Sequence, residues 1–520
     1  MKNLKSILLL IFGILTVSCD LEEDPISLGF EETYGILETA RGALDGVYYS
    51  MNTPNAMEAR TFVEAGYSGF FITGRGLGSD GVNSQNNGFL FSLKPLINDQ
   101  DVTSTWAGLY NVISNCNEII EYVATNESST DATEMGFNDI AGQAYFLRAW
   151  NYFSLVRLFG DIPLRLSLSS VENLHQKKSP AKDVYAQIIA DAKMGARLMN
   201  GSRGAGYPMK YAANMLLSKV YMTLATNLDL QAAGINEAQY WQLAYEQAKE
   251  VYGQYSLVPD YSMLFSGESE NSSESIFEFQ LSESALNSRL GRNFTPGGYK
   301  KASAFGWLQA HADVYDDHVA AYPNDPRLTS TFISSFINVR NGKLNEVYPF
   351  KTSFANLRNA HPFLFKHAVK DVTHDSKYDG KNLIIYRYAD LLIMLAEISN
   401  ELQNGEQLGY ITEVLSRADL ATAGVIVPAA YNGSKEDFRE AIMKEYRYEL
   451  LGEFEDSHNN RRRGYAWFLK NTIEKHNSVP KRSTNKTPST LVDLTLSTVE
   501  SEVMKLKIPL SESNSNELID

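Results

Sequence analysis

His311 and His318, with Asp313, Asp316 and Asp317 between them, are the residues of this 520-residue chain whose types most readily suggest a metal site. Their spacing argues against one. Seven residues of helix rise about 10.5 Å, too far for both imidazoles to reach one ion, so the stretch is expected to be a solvated face with no metal bound. The chain has no HExxH, CxxC or GxSxG, and the glycine-rich RGLGSDG at 75–81 lacks the Lys-Ser/Thr of a phosphate loop. Among 62 Asp and Glu residues, pairs roughly 5–9.5 Å apart can arise by chance, so glycoside hydrolysis is neither indicated nor excluded. No cofactor is implied. Two stretches collect side chains suited to holding a ligand. Residues 289–307 offer Arg292, Asn293, Phe294, Tyr299 and Trp307, of which Trp307 ranks first and Tyr299 second. Residues 75–91 offer Arg75, Asp80, Asn83, Gln85, Asn86 and Phe89.

The elements that must position these residues are helices in pairs. In AGQAYFLRAWNYFSLVRLFGDIPL, Phe146, Ala149, Phe153 and Val156 recur at spacings of three and four, which puts them on one helical face. Gly160 suits the C-terminal cap, and Pro163 prevents continuation. Ser179-Pro180 then reads as an N-cap followed by proline at the first helical position, with Val184, Ile188, Ala192 and Ala196 at spacing four. These two helices are expected to pack antiparallel. Similar pairs are expected at 210–226 with 237–252, at 383–403 with 406–418, and at 33–50 with 104–124. The fold class is therefore mainly α, a scaffold of tetratricopeptide-like helix pairs carrying irregular loop and short-strand insertions. Residues 60–100 and 265–310 are rich in glycine, polar and aromatic residues without helical period, and 321–382 reads as short strands and turns. Long connections of this kind are usually functional or disordered, and their aromatic content argues against disorder.

The N-terminus supplies an address. Lys2 and Lys5 precede an apolar run from Ile7 to Val17, and Ser18-Cys19 closes it. About eleven apolar residues are too few to span a bilayer, which takes roughly twenty. A cysteine at the cleavage point is the pattern of a bacterial lipoprotein whose new N-terminal Cys19 is acylated, although Thr16 stands where such boxes usually carry Leu. Two or more acyl chains, palmitate among them, hold a protein stably on a membrane. The expected organisation is a signal peptide over 1–18, an acidic tether over 19–32 containing Asp20, Glu22, Glu23 and Asp24, and one domain over 33–520 with ligand-binding insertions near 60–100 and 265–382. The net charge of −15 becomes about two units more negative once the signal leaves, a poor balance for binding nucleic acid. Cys116 is then the remaining cysteine, so no internal disulfide forms, and its helical setting suits a small buried hydrophobe.

Five blocks in order carry a family resemblance: WAGLYNVISNCNEII at 106–120, AYFLRAWNYFSLVRLFGDIPL at 144–164, YAANMLLSKVYM at 211–222, YSLVPDYSMLF at 255–265 and YRYADLLIMLAEISNE at 386–401. With the lipoprotein signal, they resemble the SusD/RagB family of outer-membrane nutrient-binding lipoproteins over essentially the whole chain. The block KEYRYELLGEFEDSHNNRRRG departs from the family pattern, with Asp456 where Arg is usual, Phe454 where Gly is usual, and Asn459-Asn460 in place of Asp-Leu. The chain's ending keeps Ile508-Pro509 and Glu512 but lacks the customary Gly-Tyr.

The resemblance implies a cell-surface, lipid-anchored protein that binds oligosaccharide or polysaccharide fragments and delivers them to a SusC-like TonB-dependent transporter. It also implies helical pairs facing the transporter, a ligand site built from the insertions, and a surface-export role for the acidic run after Cys19. Pyranose rings have apolar faces and hydroxylated edges, so such a site needs aromatic planes with amide, carboxylate or guanidinium groups beside them. The two candidate stretches have both. Three other readings stay open on the residues alone: a peptide or another nutrient in the same role, a secreted glycan-directed hydrolase, and a scaffold that binds only protein.

Overall fold

The computed structural model describes residues 33–73, 87–284, 289–348, 361–420, 428–478 and 495–519. Cys19 and the expected signal peptide and tether lie outside them. The fold is mainly α. Its N-terminal part is built from α1 (Leu37–Met51), α2 (Pro54–Gly66), α3 (Gln100–Tyr122), α4 (Ala132–Phe159), α5 (Ala181–Leu198), α6 (Lys210–Ala225) and α7 (Glu237–Val251). Further along come α8 (Ala312–Ala321), α9 (Tyr388–Leu402), α10 (Gln407–Arg417) and α11 (Lys435–Leu450). Helices adjacent in sequence pack in pairs, α4 on α5, α6 on α7 and α9 on α10, as the tetratricopeptide-like pattern requires. Among the described residues, no helix is long and apolar enough to cross a membrane.

Helix α4 is the central rod, buried around nearly its whole circumference, so its sequence carries apolar residues on every face instead of one stripe. Glycines let α5 approach it closely. A Cβ on Gly142 would lie 2.7 Å from the Met199 amide nitrogen, and one on Gly195 would lie 3.1 Å from the Gly142 carbonyl oxygen. Arg148 locks the contact: Nε and Nη2 donate to the two carboxylate oxygens of Asp191 at 2.8 and 2.7 Å, while Nη1 donates to Asn117 on α3 at 2.8 Å. Gly160 caps α4 at φ +80°, as expected. The start of α5 differs by one residue from its expected place. Pro180 is the N-cap and cannot supply a side-chain acceptor; Asp161 Oδ1 instead accepts the Ala181 amide at 2.8 Å, and Ser179 pairs its backbone with Ile162.

Among the described residues, eight short strands complete the frame: β1 (Phe71–Thr73), β2 (Ser275–Phe279), β3 (Leu308–Ala310), β4 (Phe332–Ile333), β5 (Ser335–Ile337), β6 (Leu344–Glu346), β7 (Phe363–Leu364) and β8 (Leu383–Arg387). They form a four-stranded sheet in the order β1-β3-β7-β4 and two ribbons, β2-β8 and β5-β6. Two expectations need correction. The stretch 383–403 is not one helix, because its first five residues pair with β2 before α9 begins. Residues 60–66 belong to α2, so the irregular segment starts after Gly66.

Charges are buried between the helices and the strands. Glu449, on α11, receives Arg327, Arg387 and Arg417; Glu445, one turn earlier, receives Arg327; Glu453 receives Arg387 and Lys366. Glu274 beside β2 receives Arg387 and Arg417. Burial alone would raise the Glu449 carboxyl, but Arg417, Arg387 and Arg327 hold it well below the usual carboxylate range. The expected solvated face at 311–318 is also overturned. His311 and His318 are each 2% exposed, because α8 packs inward through them. His318 stacks on Tyr448 at 4.6 Å and contacts Asp325 at 2.8 Å.

Candidate ligand-binding site

The segment 289–307 begins with the short helix Leu290–Phe294, whose Phe294 and Asn293 are each 1% exposed and serve as its underside. Phe294 packs against His367, with ring centroids 5.0 Å apart. The chain then loops out and returns, and the Phe305 amide donates to the Arg292 carbonyl at 2.8 Å, closing the loop on itself. Phe305 and Trp307 are two residues apart in the chain entering β3, and their rings stack on one another. Gly306 between them adopts φ +55°, and a Cβ there would lie 2.5 Å from the Phe363 ring, which excludes any larger residue without rearrangement.

This geometry builds a stack of three planar groups. The Phe305 and Trp307 rings lie 4.0 Å apart at 15°, and the Arg292 guanidinium lies 3.6 Å from the Phe305 centroid. Two planar groups that near one ring must take its opposite faces, so Phe305 is the middle layer. Phe62 of α2, fully buried, supports Trp307 from the core at 6.2 Å. Phe305, Trp307 and Arg292 are all half-buried. Partial desolvation, with Arg289 nearby, lowers the Arg292 pKa, and its Nε has no hydrogen-bond partner in the protein. Arg289 lies 3.9 Å from Glu58 of α2 and 5.9 Å from the Tyr378 ring, adding charged and hydroxyl groups around the stack.

Of the candidates in this segment, Trp307 and Arg292 come together in the stack, while Asn293 and Phe294 lie beneath it. Tyr299 belongs to a neighbouring aromatic cluster with Phe336 and Phe365, at 5.7 and 5.9 Å. Arg75, Asp80, Asn83, Gln85 and Asn86 lie outside the described residues; Phe89 is 41% exposed. Phe305, Arg289, Glu58 and Tyr378 were not anticipated. The alternation Phe-Gly-Trp was the available signal for Phe305. A separate cleft of about 640 Å³ is lined by Gly201, residues 204–209, Gln254, Tyr255, Asn271 and Glu278. Its Tyr207 ring carries Arg203 on one face at 4.1 Å, and Tyr255 meets Tyr211 edge-on. Cys116 is fully buried, and burial pushes its thiol up to about 12.

A family model described as starch-binding and associating with the outer membrane matches residues 40–222, and one described as the SusD family matches residues 223–490. SusD-like protein P2 of Formosa agariphila is 26% identical over 476 residues, covering 87% of this chain and 89% of that one. A SusD homolog from Bacteroides thetaiotaomicron superposes with a TM-score of 0.77 at 19% identity, covering 94% of this chain and 97% of that one. Surface glycan-binding protein A from the same species, solved in complex with laminarihexaose, superposes with a TM-score of 0.68 at 18% identity over 92% of this chain and 98% of that one. The sequence blocks, the paired-helix scaffold and the family match covering residues 223–490 agree that this chain belongs to the SusD family.

Proposed function

We propose that the protein captures an oligosaccharide on the Trp307 indole, backed by Phe305, and delivers it, without hydrolysing it, to a SusC-like TonB-dependent transporter in the outer membrane, where acylated Cys19 anchors it. The Arg292–Phe305–Trp307 stack carries the reading. It presents a half-buried aromatic plane with guanidinium groups beside it, matching the apolar face and hydroxylated edge of a pyranose. The glycan held by the structural relative supports this ligand class. The rigid helical scaffold with ligand groups on its connecting segments is a common arrangement for binding proteins. Many of the buried carboxylates, Glu274, Glu445, Glu449 and Glu453 among them, are engaged by arginine or lysine, which suits them to structure more than to proton transfer.

Calorimetry with a panel of glucan, xyloglucan and peptide fragments, combined with chromatography of the mixtures, tests the proposal. Saturable binding of an oligosaccharide with no product formed, lost in Trp307→Ala, is expected. Released product would point to a hydrolase, peptide binding would shift the ligand class, and silence from the whole panel would favour a protein-binding scaffold. Gentle extraction from native membranes is expected to co-purify a large outer-membrane channel, and its repeated absence would sink the delivery role.

A further inference from the structure

We propose that His311, Asp313 and His476 bind one divalent transition-metal ion of the zinc class, with water completing a four-coordinate shell. The proposal does not depend on the glycan reading. One ligand atom from each residue lies within 4.8 Å of the other two. His476 Nδ1 is 3.2 and 3.3 Å from the two Asp313 carboxylate oxygens, and the His311 and His476 rings lie 4.3 Å apart. In a tetrahedral zinc site the ligand atoms are roughly 3.3 Å apart, so the three groups need to close by about an ångström or more. Two imidazoles and a carboxylate form a borderline donor set suited to zinc and its neighbours, whereas calcium and magnesium prefer oxygen alone.

His311 distinguishes this cluster from an ordinary histidine–carboxylate hydrogen bond. It is 2% exposed, and neither of its ring nitrogens has a hydrogen-bond partner in the protein. A buried imidazole ordinarily satisfies at least one nitrogen, because leaving both unmet forfeits their hydration without return. Neighbouring cations do not block the site outright, since Arg447 and Lys475 both pair with Asp317. Asp313 keeps 18% of its side-chain surface exposed, which gives an ion a way in. His311 is the N-cap of α8, Asp313 lies in its first turn, and His476 comes from the helical turn Lys475–Ser478. A bound ion would therefore tie the end of β3, four residues beyond Trp307, to a segment far along the chain.

The test uses the tag-free mature chain, since an affinity tag of histidines would compete. Zinc titration by calorimetry and cobalt substitution read by visible absorbance are expected to give one metal per chain and the intense bands of a four-coordinate cobalt centre. Asp313→Asn, at a partly accessible position, and His476→Gln, at a buried one, are expected to weaken binding by at least about 100-fold with unchanged far-ultraviolet circular dichroism. His175→Gln, elsewhere in the chain, is expected to leave it intact. Absence of stoichiometric uptake in the wild type, or uptake that survives both cluster variants, overturns the assignment.

Discussion

Phe305 makes no claim to a ligand of its own, yet the stack makes it the residue on which Trp307 depends. Laying one pyranose face on the indole removes roughly 80 Å² of apolar surface from water, about 2 kcal/mol, so Trp307→Ala is expected to raise Kd about 30-fold. Phe305→Ala leaves the indole present but removes its stacked neighbour at 4.0 Å and the ring beneath the Arg292 guanidinium at 3.6 Å. Such aromatic and cation–π contacts contribute about 0.5–1.5 kcal/mol each, so loss of the preset geometry is expected to raise Kd about tenfold. The double variant separates support from independent contact. Once the indole is gone its support has nothing left to position, so adding Phe305→Ala to Trp307→Ala is expected to weaken binding by less than about threefold. Calorimetry on the four proteins with one oligosaccharide gives the cycle. If the two effects multiply to about 300-fold, Phe305 touches the ligand directly and the layered arrangement is refuted; if Phe305→Ala changes nothing, the stack does not organise the site.

Burial pushes the Asp456 carboxyl up to about 7, and it accepts the Gly452 amide at 2.9 Å. The folded chain thus keeps a proton that the unfolded chain gives up near pH 4, so its contribution is present below about pH 4 and lost as pH rises to about 7. The stability of Asp456→Asn relative to wild type is expected to increase by up to about 4 kcal/mol across that window, and denaturant unfolding at pH 4 and pH 8 showing no such divergence would contradict it. Arg387→Met removes one of the countercharges shared by Glu274, Glu449 and Glu453, and loss of about 3–5 kcal/mol is expected from urea unfolding; a change under 1 kcal/mol would mean the network is energetically neutral. Cys116, fully buried with its thiol raised to about 12, is expected to resist thiol reagents until the chain unfolds, and rapid labelling of the native protein would place it wrongly.

The helical frame was legible because apolar spacing is a local property: the periodicity through Phe146, Phe153 and Val156 locates α4 without knowledge of what covers it. Where a local pattern fits two structures, the sequence misled. The apolar Leu383–Tyr386 run suits a helix or a buried strand equally, and its partner β2, over a hundred residues earlier, decides in favour of the strand. The start of α5 was misplaced for a similar reason, since its capping oxygen comes from Asp161 across the turn. Trp307 stood out by type, while its stacking partner did not, because phenylalanine is usually core and only the glycine between them hints at a shared face. Sequence spacing pairs His311 with His318, seven residues away, whereas the structure brings it His476, and no spacing rule reaches that far.

The convergence of Arg327, Arg387 and Arg417 on Glu449 bears on how such a scaffold can acquire new ligands. The three arginines stand 122, 62 and 32 residues from Glu449 along the chain, so a single carboxylate on one helix closes three nested loops. Doubling the length of a loop between fixed ends adds only about 0.6 kcal/mol of closure entropy, whereas an arginine that fails to return leaves a charge stranded in the interior. Evolution is thereby given wide latitude in what lies between the anchors and almost none at the anchors themselves. The segment carrying Trp307 falls between the strand that Glu274 precedes and Arg327, within the freedom those fixed points allow.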